Sequence, residues 1–302
     1  LSTVHHSSGL WDLQRKISIK QTCTVFTAGS LWEVPQGVKK KKRGRTETMK
    51  LVEIKYIEKK PKLKNPIFIE GLPGIGNVGK LAVEHLIDVM KARKFAELYS
   101  KDFPPQVFIN PDGTIKLVNN EFFYWKAKKR GQQDIILLTG DYQGLSSQGQ
   151  YELAESILDI VQDLGVKQMF TLGGYGLGRE IKEPKVLFAT TDASLVKTMK
   201  KYGAVFKKNE PGGGIIGASG LLLGLGKLRG LVGTCFMGET PGYLVDPKSA
   251  KAVLKVLTKA VKVDIDLSRL EEKAKEIEYI AQQLNEMETM VKEKPDDIRY
   301  IG

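Results

Sequence analysis

Residues 66–91 read PIFIEGLPGIGNVGKLAVEHLIDVMK. Pro66–Glu70 is dominated by Ile and Phe and reads as a short buried strand. Gly71–Gly79 then places four glycines in nine residues, too many for either a strand or a helix interior. From about Val78 to Lys91 the apolar residues return with helical spacing, with Leu81, Val83, His85, Leu86, Val89 and Met90 among the buried candidates. Strand, glycine loop and helix in that order open a βαβ unit.

The alternation repeats outward from this stretch. Lys50–Ile57 (KLVEIKYI) alternates apolar and polar residues as a half-buried strand does, and Phe95–Tyr99 reads as another. Gln106–Ile109, Ile115–Val118 and Glu121–Ala127 read as shorter strands around an Asp112-Gly113 turn, a hairpin signal. Asp134–Thr139 (DIILLT) is continuously apolar, the pattern of a strand covered on both faces. After the loop Gly140–Gly149, a helix is predicted at Gln150–Leu164 and a strand at Gln168–Leu172, ending in Gly173-Gly174-Tyr175-Gly176. A strand at Val186–Thr190 precedes a helix at Ser194–Tyr202, and Gly212–Gly214 opens a small-residue helix reaching about Leu225. Gly230–Phe236 is the last predicted strand, and Pro247–Val261 carries one apolar helical face. Residues 49–263 are therefore expected to form an α/β, three-layer domain with a mostly parallel, mixed sheet covered by helices. Residues 264–302 are expected to form a C-terminal helical arm and tail. Within the arm, a helix over Leu267–Lys292 spaces Leu270, Ala274, Ile277, Ala281, Leu284, Met287 and Val291 by threes and fours. That seam suits a partner helix or a fold-back onto its own domain.

Residues 1–48 follow neither period. They hold nine Lys/Arg and three Asp/Glu, so they supply +6 of the chain's +12. Much of this lies in Lys39–Arg45 (KKKKRGR), which reads as a solvated basic run; nucleic acid is a disfavoured partner. The first methionine, Met49, coincides with the onset of strand alternation, so the expectation is a disordered or non-native leader. Hydrophobic residues make up 41% and charged residues 27%, a composition that can bury a large core. No stretch approaches the roughly 18 apolar residues of a membrane span. Two cysteines, Cys23 and Cys235, fit a reducing compartment, and the expected location is cytoplasmic.

Gly74-Ile75-Gly76-Asn77-Val78-Gly79 matches G-x-G-x-x-G between a strand and a helix. At such a helix N-terminus Gly74, Gly76 and Gly79 are candidates to cradle a phosphate or nucleotide. They serve equally for a sharp turn and close helix–strand contact without a ligand. A P-loop is excluded, because Lys80 is followed by Leu81. Gly173–Gly178, Gly212–Gly217 and Gly238–Gly242 repeat the choice between a ligand crevice and a flat docking surface.

Groups for covalent chemistry are not evident. His85 is the one histidine after residue 48, and it sits among apolar residues. Ser219 lies in Gly217-Ala218-Ser219-Gly220, loosely like a nucleophile turn, without a histidine to activate it. Asp141, Glu180, Glu210 and Glu239 are carboxylates near predicted strand ends, where capping is the ordinary role. No catalytic residue, cofactor or metal ligand is expected.

Four motifs in sequence order, Gly71–Gly79, Gly140-Asp141-Tyr142-Gln143, Gly173-Gly174-Tyr175-Gly176 and Gly212–Gly217, resemble the archaeal branch of the proteasome assembly chaperone family. The resemblance runs from about Met49 to the C-terminus. It implies a phosphorylase-like α/β fold, homo-oligomers, and non-enzymatic binding to proteasome core particle α-subunits or another assembly chaperone. Some proteasome partners end in hydrophobic–Tyr–any residue. Here the end is Ile298-Arg299-Tyr300-Ile301-Gly302, so the pattern is shifted, with Tyr300 in the hydrophobic place and Ile301 in the tyrosine place. Ile298, Tyr300, Ile301 and Gly302 are the expected partner-binding residues. Pro295 detaches them from the preceding helix.

Overall fold

The computed structural model describes residues 51–206, 213–243 and 245–277. The leader, Gly212 and Glu210, the arm's seam beyond Ile277, and the tail residues Ile298, Tyr300, Ile301 and Gly302 lie outside the described residues.

In chain order the elements are β1 (Val52–Tyr56), β2 (Ile67–Glu70), α1 (Val78–Met90), β3 (Arg93–Ser100), β4 (Val107–Ile109), β5 (Ile115–Leu117), β6 (Asn120–Trp125), β7 (Ile135–Gly140), α2 (Ser147–Asp163), β8 (Gln168–Gly176), β9 (Val186–Thr190), α3 (Val196–Lys201), α4 (Ala218–Leu228), β10 (Val232–Thr240) and α5 (Pro247–Val261). Eight strands form one sheet in the order β1-β3-β6-β7-β2-β8-β10-β9, and β4 and β5 form a separate hairpin. The central strands β7, β2, β8 and β10 are parallel. Antiparallel strands complete both sides: β6, β3 and β1 on one, β9 on the other. The predicted mixed sheet is thus found, with its parallel strands at the centre.

Burial explains the layers. Every residue of β2 and β7 is buried, as continuous apolar runs require when helices cover both faces. One face packs Ile67, Ile69, Leu137, Phe170 and Phe236 against α1 and α5. The opposite face packs Phe68, Ile136, Leu138, Phe95 and Cys235 against α2 and α4. Helix starts follow local chemistry. Ser146 accepts a bond from Gly149 N at 3.0 Å to cap α2, and Asp246 accepts one from Ser249 N at 2.8 Å to cap α5, with Pro247 in its first turn.

Two strands run longer than their sequence suggests. Gly173–Gly176 and Gly238–Thr240 read as loops, yet they pair with each other, Met237↔Gly173 through Thr240↔Gly176. Ladder bonds between neighbouring strands override the weak strand propensity of glycine here. The helix expected to open at Gly212–Gly214 starts later, at Ala218.

The root of the C-terminal arm folds back on its own domain. Residues 268–277 are helical, and Leu270 is buried with α1 and α5. His85 Nε2 lies 2.6 Å from the Asp266 carbonyl, Arg269 pairs with Asp88 at 3.0 Å, and Lys251 with Glu271 at 2.7 Å. His85 is thus a packed, hydrogen-bonded histidine.

Asp134, just before β7, is buried and accepts from the backbone amides of Lys64 at 2.7 Å and Ala127 at 2.8 Å. Asp134→Ala leaves both donors without this partner. The expected loss is about 2 kcal/mol, read as a lower urea midpoint with an unchanged slope.

Candidate functional site

Open parallel sheets bind ligands outside the carboxyl ends of their strands, where neighbouring connections diverge to opposite faces. That point falls between β2, which leads into α1, and β7, which leads into α2. The loops on this edge are 71–77, 101–119, 141–146, 177–185, 213–217 and 241–246.

The protein's own groups fill the crevice. Gln143 donates from Nε2 to the Pro73 carbonyl at 2.6 Å and accepts at Oε1 from Ala218 N at 2.8 Å. One amide thus brackets the glycine loop to the start of α4. Lys80 Nζ donates to the Gly140 carbonyl at 2.6 Å and pairs with Glu84 at 3.3 Å.

The fingerprint glycines are used by close packing. A Cβ on Gly79 would lie 2.1 Å from the Leu172 carbonyl oxygen, and one on Gly71 would lie 2.2 Å from that of Gly79. Gly76 has φ +62° and faces Thr240, where a Cβ would meet the hydroxyl at 2.7 Å. Asp246 N donates to the Gly76 carbonyl at 2.9 Å, tying the loop to the cap of α5. Gly74 is open, with Gln143 Nε2 3.8 Å from its Cβ position. Gly76 and Gly79 therefore have a structural reason for being glycine that involves no ligand.

Beneath these loops lies a pair that sequence reasoning did not connect. Glu70 ends β2 fully buried, accepting from Leu72 N at 2.9 Å and from the Ser219 hydroxyl at 2.9 Å. Burial pushes its carboxyl from the usual 4.5 up to about 7, against the opposing effect of those two hydrogen bonds. The one available sequence signal was a charged residue closing an otherwise apolar strand. Cys235, also buried, has its thiol pushed up to about 12 by burial, which leaves it without thiolate character.

The other candidate carboxylates have separate settings. Asp141 accepts from Asn119 N at 3.1 Å and lies 3.6 Å from Lys116 Nζ. Glu239 is buried and accepts from Lys185 N at 3.2 Å, and Glu180 is exposed. Among the described residues, no group of three or more His, Cys, Asp or Glu is placed to hold a metal ion, and no helix is long and apolar enough to cross a membrane.

The outer rim of this edge is apolar. Of fifteen large apolar side chains exposed among the described residues, ten lie here: Ile75, Leu145, Ile216, Tyr243, Val245 and five on the β4–β5 hairpin. Ile216 is 94% exposed. Such clustering makes this edge a candidate interaction surface, whereas scattered apolar residues would not.

A family model, that of the PAC2 family, matches residues 68–285. The chain belongs to the PAC2 family. It is 45% identical to Pyrococcus furiosus PbaB, described as an archaeal proteasome activator, with a TM-score of 0.75 over 78% of this chain and 100% of that one. It is 25% identical to P. furiosus PbaA, described as an archaeal homolog of proteasome-assembly chaperone, with a TM-score of 0.64 over 79% and 94% of the two chains. Protein MJ1210 of Methanocaldococcus jannaschii is 44% identical over 260 residues, 82% of this chain and 98% of its own. The resemblance carried by the four glycine motifs is thus shown at the level of family and fold. The PAC2 match begins at Phe68, inside β2, and covers all six loops of the apolar edge named above.

The raised Glu70 carboxyl makes a directional prediction. The fold favours the neutral form, so this contribution to stability is full below pH 4.5 and is lost as pH rises through about 7. The loss amounts to roughly 3 kcal/mol. Glu70→Gln retains groups able to bond Leu72 N and the Ser219 hydroxyl. Urea denaturation between pH 5 and 8 should show a flatter profile for this variant and greater stability than the parent at pH 8.

Proposed function

We propose that this protein is a non-enzymatic, cytoplasmic proteasome assembly chaperone or adaptor. It works as a homo-oligomer that binds proteasome core particle α-subunits or another assembly chaperone. The observation carrying this reading is the loop-bearing edge of the sheet. Its crevice is occupied by Gln143 and Lys80, and its rim offers ten exposed apolar side chains. An edge so arranged suits a macromolecular partner better than a small substrate. The 45% identity to an archaeal proteasome activator and the likeness to a proteasome-assembly chaperone homolog support the choice of partner.

The tail residues Ile298, Tyr300, Ile301 and Gly302 are proposed as the partner-binding segment. From the sequence, Pro295 is expected to interrupt the predicted arm helix before them, and several copies in one oligomer would raise the effective concentration of weak tails. The rival reading, a nucleotide- or phosphate-binding enzyme using Gly74, Gly76 and Gly79, meets the packing already assigned to Gly76 and Gly79.

Deleting residues 294–302 should abolish capture of the proteasome core particle in a pull-down and leave oligomer mass unchanged by light scattering; retained capture refutes the tail assignment. In thermal-shift assays against a nucleotide panel, the melting temperature should stay within error. A saturable rise that disappears in Gly76→Val would favour the rival reading.

A further inference from the structure

Helix α5 carries Lys248, Lys251, Lys255 and Lys259, spaced by three, four and four, and Lys262 follows at its C-terminal cap. At roughly 100° per residue these positions fall within an arc of about 80°, so they form one row along the helix. The opposite side of α5, with Ala250, Val253, Leu254 and Leu257, is buried in the core. Neither Asp nor Glu occurs between Pro247 and Val263. The neighbouring α3 has the same bias: its sequence VKTMKK holds three lysines and no acid. Lys259 Nζ donates to the Tyr202 carbonyl, just past the end of α3, at 3.2 Å. Because α5 begins at the loop-bearing edge, its C-terminal half and α3 form a surface separate from the apolar rim.

Helix stability does not account for this row. Like charges spaced by three and four repel one another. The helix dipole favours cations only in the last turn, where Lys259 and Lys262 sit, whereas Lys248 lies in the first turn, where an acid is the stabilising choice. One member of the row shows what neutralises it. Lys251 pairs with Glu271 at 2.7 Å, and Glu271 belongs to the helical root of the arm. The hydrogen bond from Lys251, and then the charges of Lys251, Lys275 and Lys255, hold the Glu271 carboxyl below the ordinary carboxylate range. A carboxylate borne on a helix thus engages the row at this point. Lys255, Lys259 and Lys262 are exposed, and among the described residues no carboxylate lies within ion-pair distance of them.

We propose that Lys255, Lys259 and Lys262 are a docking rail for an acidic helix of a protein partner, whose carboxylates, spaced by three and four, pair with them as Glu271 pairs with Lys251. The proposal rests on the reading above that the partner is a protein, and it adds a second contact surface. Geometry and chemistry select this occupant. A row made by helical spacing repeats every 4.5 to 6 Å or so, and carboxylates spaced by three and four on another helix repeat at the same interval. The Glu271 contact is one instance of that pairing within the structure. The surface also lacks the groups that suit a nucleic acid. Neither α3 nor α5 holds an arginine, whose planar fork pairs a phosphate through two bonds. The exposed ring beside them, Phe206, is covered by Lys200 Nζ at 5.8 Å from its centroid, so it is not open for stacking on a base.

The test uses the full chain and two synthetic helical peptides of identical composition. One carries Glu at i, i+4, i+7 and i+11 on a single face; in the other the same residues are reordered so that the Glu side chains are spread around the helix. Fluorescence anisotropy at low salt should show the patterned peptide bound at least about fivefold more tightly, with affinity falling as salt rises. Lys255→Glu combined with Lys262→Glu spares the Lys259–Tyr202 bond. This variant should lose the preference and bind instead a patterned peptide carrying Lys in place of Glu. Circular dichroism melts verify that it folds. If it does not, Lys255→Gln with Lys262→Gln replaces it and should weaken binding of the patterned acidic peptide at least about threefold. Equal binding of the two acidic peptides, unchanged binding by a folded variant, or a stronger response to duplex DNA than to the patterned peptide at equal total charge overturns the proposal. Core-particle capture is read in a separate assay: its failure in the parent refutes the proposed partner, while the peptide result decides the role of the row.

Discussion

Two close approaches between backbones seat the first long helix of the domain. Gly71 and Gly79 let the first turn of α1 sit on the end of β2 and on Leu172 of β8, at separations no Cβ tolerates. With α1 seated there, the 71–77 loop is fixed at both ends, by β2 and by α1. Gly76 then meets Thr240, the Gly76 carbonyl meets the cap of α5, and Gln143 spans from Pro73 to α4. Four loops and three helix starts are thus tied together around the two positions where a side chain is missing. The glycine spacing that resembles a dinucleotide fingerprint also reports how closely two backbones approach.

Much of the fold was legible because burial and period agree. The DIILLT run of β7 and the strand–loop–helix of β2 and α1 signal a sheet covered on both faces, and the structure places them at its centre. The limits of α5 were readable to the residue, because Pro247 fixes the start and the apolar face ends at Val261. The glycine ends of β8 and β10 were not readable, since only the neighbouring strand makes either of them a strand. Pairing partners far apart in sequence leave no local signature.

The site divides the same way. That Gly71–Gly79 is a tight strand-to-helix turn was readable; what each glycine touches was not. Glu70 and Ser219 are separated by 149 positions, and their bond depends on α4 starting above β2. The edge was expected to be either a crevice or a flat docking surface. Gln143 and Lys80 occupy its centre, and the exposed apolar residues of four loops and the hairpin form its margin. Exposure of Ile75, Leu145 and Ile216 cannot be read from sequence, since an apolar residue in a glycine-rich or polar loop can equally turn inward to the core.

The root of the C-terminal arm has a mechanical consequence. His85, Asp88 and Lys251 fasten residues 266–271 to two helices, and Leu270 is sunk between them. A pull on the chain beyond this root loads α1 and α5 together, and through the contact of Gly79 with Leu172 that load enters the centre of the sheet. A tether seated on a slack loop would dissipate displacement. One seated on two packed helices transmits it, so a displacement of the root is passed to the body of the domain.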